Sequence, residues 1–300
     1  MNLTRAPRLS RPRLVIPAIV LAIAGLFAAI SLTGAAQAAS GAGQRADAAS
    51  STYQAKPTIV LEHGAFADAS SWSGVIERLQ AAGYTVDATP DPLQGVTYDS
   101  KTLADFLAAI HGPIVLVGNS YGGVVISNAA TGNQNVKALV YVDAFIPAKG
   151  ETAFGLITAK PGSCFAVAPA TAFNFVSYPG EPSGDPDAYL KVAPDGAYSG
   201  FDACLANGVP ADQAAILAAT QRPVALGALT EPSGTPAWKT IPSWAVIGTA
   251  DHVIPPAELL FMAQRAHARI TEINGAGHLS LITNPGAVAR VVIDAARATG

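Results

Sequence analysis

Charge is scarce in this sequence: Asp, Glu, Lys and Arg make up 13% of its 300 residues, and the formal net charge is −3. Arg5, Arg8, Arg11 and Arg13 sit at the very start, so the rest of the chain is more acidic still. No basic stripe is left to follow a nucleic-acid backbone or an anionic membrane surface, and neither is expected as a partner. Cysteine is scarcer, with Cys164 and Cys204 alone. Two thiols are too few for a cysteine zinc site, and no Cys/His cluster has ligand spacing, so no metal is expected. No internal repeat appears, which excludes solenoid and propeller architectures.

Apolar residues, by contrast, make up half the chain, enough for a large buried core. The first apolar stretch, Leu14 to Ile30, follows the four arginines and leads to Ala36-Gln37-Ala38, with no acidic residue before Asp47. That order reads as a signal peptide over 1–38, cleaved after Ala38; Pro17 and the small-residue site argue against an uncleaved anchor. Without an Arg-Arg pair, general secretion is expected, and the mature protein should be extracellular with no stable membrane association. In that oxidising compartment Cys164 and Cys204 are expected to pair, closing a loop of about 40 residues and adding up to roughly 4 kcal/mol of stability. Residues 39–56, rich in Ala, Ser and Gly without periodicity, read as a disordered lead-in. Residues 57–300 then suit one domain.

Within that domain β-branched runs alternate with amphipathic stretches. Thr58 to Leu61 is a buried-strand run. Trp72, Val75, Ile76 and Leu79 follow at helical spacing, then a strand from Tyr84 to Ala88. Leu103, Phe106, Leu107 and Ile110 repeat the helical spacing before His111-Gly112-Pro113 stops it. A strand (Ile114 to Val117), a helix (Tyr121 to Ala130) and a strand (Val136 to Val142) come next. The alternation fails between about 148 and 238, where Pro, Gly and both cysteines gather. It resumes with strands at Trp244 to Ile247 and Arg269 to Ile273, each followed by a helix. Strands separated by helices predict a doubly wound, mostly parallel α/β sheet, with the irregular stretch inserted as a cap.

Gly118-Asn119-Ser120-Tyr121-Gly122 falls where a continuous strand meets a helix. Glycines flanking a serine in such a turn let the chain bend sharply and hold the hydroxyl exposed, the geometry of a nucleophile. A serine needs a base oriented by a carboxylate, and in this arrangement the chain order is Ser, acid, His. His278 follows the last strand and Asp251 the one before it, both at carboxyl ends where parallel sheets place their sites. Asp143 also follows a strand and is a rival for the acid. Backbone N–H groups of Tyr121 and of Ala65, with Phe66 if the loop register differs by one, are the expected oxyanion donors. His63 is expected to brace that loop. Phe145, Trp238, Ile254 and Leu279, with Phe154, Phe165, Phe173 and Phe175 of the insertion, are candidates to line an apolar pocket; the insertion's aromatics would equally serve as a core for the cap.

These residues resemble the α/β-hydrolase superfamily over essentially all of 57–300. The opening Val60-Leu61-Glu62-His63-Gly64-Ala65-Phe66-Ala67-Asp68 is similar to that of compact bacterial serine hydrolases, and the short loop and modest cap to plant methyl-esterases and hydroxynitrile lyases. The resemblance implies a cofactor-free enzyme, usually a carboxylesterase acting on a small-molecule ester, with Ser120, Asp251 and His278 as its triad. The lyase pattern has threonine and lysine where this chain has Gly64 and Leu279, which turns the expectation toward hydrolysis through an acyl-enzyme. Asn119 departs from the histidine common before the serine. A perhydrolase or other acyl transferase would share the triad, and a ligand-binding protein of the same fold would not need it. Oligomeric state is not legible.

Overall fold

The computed structural model describes residues 56–182, 184–192 and 198–299. The expected signal peptide at 1–38, and the lead-in at 39–56 apart from its last residue, lie outside the described residues. The strands are β1 (Thr58–Glu62), β2 (Val86–Thr89), β3 (Ile114–Asn119), β4 (Val136–Val142), β5 (Phe173–Val176), β6 (Asp187–Leu190), β7 (Val224–Ala225), β8 (Ser243–Gly248) and β9 (Arg269–Ile273). The helices are α1 (Ser73–Ala81), α2 (Val96–Ala108), α3 (Gly122–Ala129), α4 (Ala153–Ile157), α5 (Pro169–Ala172), α6 (Ala211–Ala219), α7 (Leu226–Thr230), α8 (Pro256–Arg265), α9 (Ser280–Thr283) and α10 (Pro285–Thr299).

Six strands form one sheet in the order β2-β1-β3-β4-β8-β9, every neighbouring pair parallel. Helix α1 packs on α10 and α2 on α3, covering both faces as right-handed crossovers in opposite directions require. The pattern explains the composition. Every residue of β3 and β8 is buried, so Ile114 to Val117 and Trp244 to Ile247 read as continuous apolar runs. Strand β9 lies at the edge and is mostly exposed, and its Arg-Ile-Thr-Glu-Ile is correspondingly polar. From β1 the chain first goes outward to β2 and then back across to β3. That reversal opens a crevice between the carboxyl ends of β1 and β3.

The insertion lies between β4 and β8, as the sequence pattern predicts. It contains a second, antiparallel sheet, β5-β6-β7, that the pattern does not predict. Its strands are short: β7 has two residues, and only the first residue of β5 is buried. Cys164 and Cys204 are bonded, with Cα atoms 5.7 Å apart and both side chains fully buried.

Candidate active site

Strand β3 ends at Asn119 and α3 begins at Gly122, leaving Ser120 in the turn at φ +52°, a left-handed conformation that a non-glycine residue adopts only under restraint. The restraint is visible. The Ser120 carbonyl accepts the N–H groups of Gly123 (3.0 Å) and Phe145 (3.2 Å), and the Asn119 side-chain amide donates to the Val142 carbonyl (2.8 Å). Asn119 thus ties the elbow to β4. The flanking glycines are sterically required: a Cβ on Gly118 would lie 2.6 Å from the Gly122 carbonyl oxygen, and one on Gly122 2.7 Å from those of Glu62 and His63.

Ser120 Oγ lies 2.8 Å from His278 Nε2, and His278 Nδ1 lies 2.7 Å from Asp251 Oδ2. All three side chains are buried. The second oxygen of Asp251 accepts the N–H groups of Val253 (2.8 Å) and Ile254 (3.0 Å), which fixes the carboxylate plane. Burial lowers the His278 pKa, but the charge and hydrogen bond of Asp251, with the charge of Asp143, outweigh it, and the net shift is upward. This chain of contacts lets the imidazole accept the hydroxyl proton through Nε2 while Nδ1–H stays on the carboxylate.

The structure also places the rival acid. Asp143, at φ +45° after β4, accepts the Gly248 N–H (2.7 Å) through one oxygen; the other takes the Ser280 N–H (3.2 Å) and the Ser280 hydroxyl. It is fully buried, and burial followed by the charge of Asp251 pushes its carboxyl up to about 7. It makes no hydrogen bond to His278. Its contacts knit β4 to the end of β8 and to the start of α9.

Below the loop after β1, His63 Nε2 accepts the Asp91 N–H (3.0 Å), so the ring proton sits on Nδ1, which donates to the Gly64 carbonyl (2.9 Å). Burial holds this imidazole down to about 4, neutral at physiological pH. The brace rests on a network absent from the sequence reading. The Tyr121 hydroxyl donates to Asp99 (2.8 Å), the Thr89 hydroxyl donates to Glu62, and burial pushes Glu62 up to about 8. A glutamate ending an otherwise apolar strand was its one signal.

Above the serine lies a narrow cavity. Ala65, Phe66, Ser120, Tyr121, Phe145 and Val253 line it from the sheet side, and Phe154, Ile157, Phe165, Phe173, Leu205 and Leu229 from the insertion. None is charged. Phe66 stacks on Phe173 at 5.8 Å, with Phe165 edge-on to Phe66 at 6.4 Å, so the insertion grips the loop that carries the Ala65 amide. The pocket expectation needs correction at four positions. The Trp238 indole donates to the Pro147 carbonyl and does not line the cavity. Ile254 and Leu279 are buried in the core, and Phe175, two residues along β5 and tilted against the Phe173 ring at 6.2 Å, is 40% exposed and does not reach the cavity. Val253, Leu205, Ile157 and Leu229 line the cavity without having been expected, since no periodicity marks them.

Gly64 is packed against the nucleophile: a Cβ there would sit 2.7 Å from Ser120 Cβ. Gly64→Ala is therefore expected to lower turnover about tenfold or more by displacing Ser120, and to lower the melting temperature as well, because the added methyl overpacks the turn. Steady-state kinetics beside a melting curve checks this.

Comparison with known proteins agrees with the geometry. A model of the α/β hydrolase family matches residues 59–291. An α/β hydrolase of Aspergillus novofumigatus is 25% identical over 80% of this chain and 97% of its own. A carbendazim hydrolyzing esterase of Nocardioides is 32% identical over 33% of this chain and 46% of its own. Tomato methylketone synthase I has a similar fold, with a TM-score of 0.65 and 19% identity over 82% of this chain and 100% of that one. The chain belongs to the α/β hydrolase family.

Proposed function

We propose that the chain is an exported serine hydrolase that cleaves small or medium apolar carboxylic esters through an acyl-enzyme on Ser120. One observation carries the reading: the Ser120–His278–Asp251 chain of hydrogen bonds opens onto a cavity lined without a single charged side chain. Cleavage of an ester by the related Nocardioides enzyme, as its name states, supports the reaction type.

In this mechanism His278 Nε2 takes the hydroxyl proton as Ser120 Oγ bonds to the ester carbonyl carbon. The carbonyl electron pair moves to oxygen, where the N–H groups of Tyr121 and Ala65 receive it, the two loops that carry them both bordering the cavity. Collapse of the intermediate expels the alcohol, which leaves with the proton from His278. Water then repeats the sequence on the acyl-enzyme and releases the acid. Asp251 keeps the imidazole in one tautomer and balances its transient charge. The apolar lining selects against carboxylate-bearing substrates, because a charge entering it would lose its hydration without a partner.

A fluorophosphonate probe tests the nucleophile: wild-type protein should be labelled and Ser120→Ala should not. Labelling unchanged in Ser120→Ala would sink the proposal, and a folded wild type that takes no label would point to a ligand-binding role for the fold. A panel of p-nitrophenyl esters of graded acyl length, with and without peroxide, then reads acyl size and separates hydrolysis from perhydrolysis.

A further inference from the structure

Asp251 and His278 stand on different loops, and the insertion holds the first of these at three places on either side of Asp251. The Ala250 carbonyl accepts the Asn207 side-chain N–H at 2.7 Å, the His252 carbonyl accepts the Cys164 N–H at 2.8 Å, and the Val253 carbonyl accepts the Ser163 hydroxyl at 2.7 Å. The His252 ring is bonded in turn to the Ala203 carbonyl at 2.8 Å. These contacts come from two segments of the insertion, around 163–164 and 203–207, and the Cys164–Cys204 disulfide joins them. The grip on the acid loop is thus a single cross-linked unit.

Asn207 reaches further than the others. Its side-chain oxygen accepts the His278 backbone N–H at 3.3 Å while its nitrogen donates to Ala250. Among the described residues it is the one insertion side chain bonded to both loops. The fit is close: a Cβ on Gly277 would fall 2.1 Å from the Asn207 carbonyl oxygen and 2.5 Å from its side-chain nitrogen. The backbone bond from Ala250 N–H to the Ala276 carbonyl (2.9 Å) joins the roots of the loops. A planar amide, with a donor and an acceptor in fixed relation, adds a second tie from Ala250, to His278 itself.

We propose that Asn207 is a positioning residue that sets the separation of Asp251 and His278. It does not line the cavity, although Leu205 beside it does. Its loss should therefore act on the chemical step and spare substrate binding. The proposal rests on the hydrolase reading above, so its test must separate the two.

Wild type, Ser120→Ala, Asn207→Ala and Asn207→Asp are compared by p-nitrophenyl ester kinetics across pH, by near-ultraviolet circular dichroism, and by the downfield proton resonance of His278 Nδ1–H. Asn207→Ala is expected to lower kcat about 10- to 100-fold with KM within about twofold. Its resonance should shift or broaden, and its acid limb should move to lower pH as Asp251 loosens its hold on the imidazolium. Asn207→Asp has nearly the same shape, keeps the acceptor and loses the donor. It should also lower kcat, but its acid limb should move to higher pH because it adds a carboxylate beside His278. A folded variant of either kind with wild-type kcat and an unmoved resonance would overturn the proposal. Wild type that turns over no ester sinks the hydrolase reading instead, and the resonance still decides the role of Asn207.

Discussion

Removal of the imidazole in His278→Ala is expected to lower kcat by on the order of 10⁴ to 10⁶ while the protein stays folded. The size of the effect follows from the geometry. Without Nε2 at 2.8 Å, the Ser120 hydroxyl has no base, and an un-ionised alcohol is a poor nucleophile. The activity that survives would come from substrate binding and the oxyanion N–H groups. Folding should persist because Asp251, left without His278, still accepts the Val253 and Ile254 N–H groups. The pH dependence supplies a second reading of the same group. Protonated His278 cannot accept a proton, so wild-type kcat/KM should fall as pH drops through its pKa. Asp251 and Asp143 raise that pKa against the effect of burial, so the limb should lie above the ordinary imidazole range. The residual rate of His278→Ala should lack that limb. Stopped-flow acylation with an activated ester, run from acid to alkaline pH beside circular dichroism, checks both parts. A variant retaining more than a few per cent of wild-type kcat would remove His278 from the mechanism.

Much of this was legible because the large sheet obeys simple periodicity. Strands β3 and β8 are buried on both faces, so Ile114 to Val117 and Trp244 to Ile247 are unbroken apolar runs, and the glycines around Ser120 have no tolerated substitute in a turn this tight. The insertion was illegible for the opposite reason. Its strands are two to four residues long, too short for a period to show, and its shape depends on contacts with the main sheet and on one disulfide. Trp238 shows the difficulty: an aromatic beside an expected pocket, it is claimed by a hydrogen bond to Pro147 that no local pattern reveals. Asn207 shows it more sharply. It is 71 residues from His278 and 43 from Ala250, and only folding makes the three neighbours.

The acid was the point at which sequence order alone left two candidates, and Asp251→Asn against Asp143→Asn should separate them by about three orders of magnitude in kcat. Both follow strands and both are buried, but their oxygens are committed differently. In Asp251→Asn the side-chain oxygen is needed by the Val253 and Ile254 N–H groups, now bonded at 2.8 and 3.0 Å. The new amide nitrogen must then face His278 Nδ1, which becomes an acceptor, and the ring proton moves to Nε2. An imidazole with Nε2 already protonated cannot take the proton of Ser120, so kcat should fall by about 10⁴-fold with little loss of stability. In Asp143→Asn the oxygen keeps the Gly248 N–H, and the new nitrogen faces Ser280, whose hydroxyl can turn to accept while its N–H loses a partner. The histidine tautomer is untouched. The expected result is a lower melting temperature, of the size that follows from about 1 to 3 kcal/mol for one unpaired buried donor, and a loss in kcat of about tenfold. Removing the Asp143 charge also removes one of the influences that raise the His278 pKa, so the acid limb of Asp143→Asn should move to lower pH. Kinetics and thermal melts of the two variants decide the matter. If Asp143→Asn proves inactive and Asp251→Asn active, the acid has been assigned to the wrong residue.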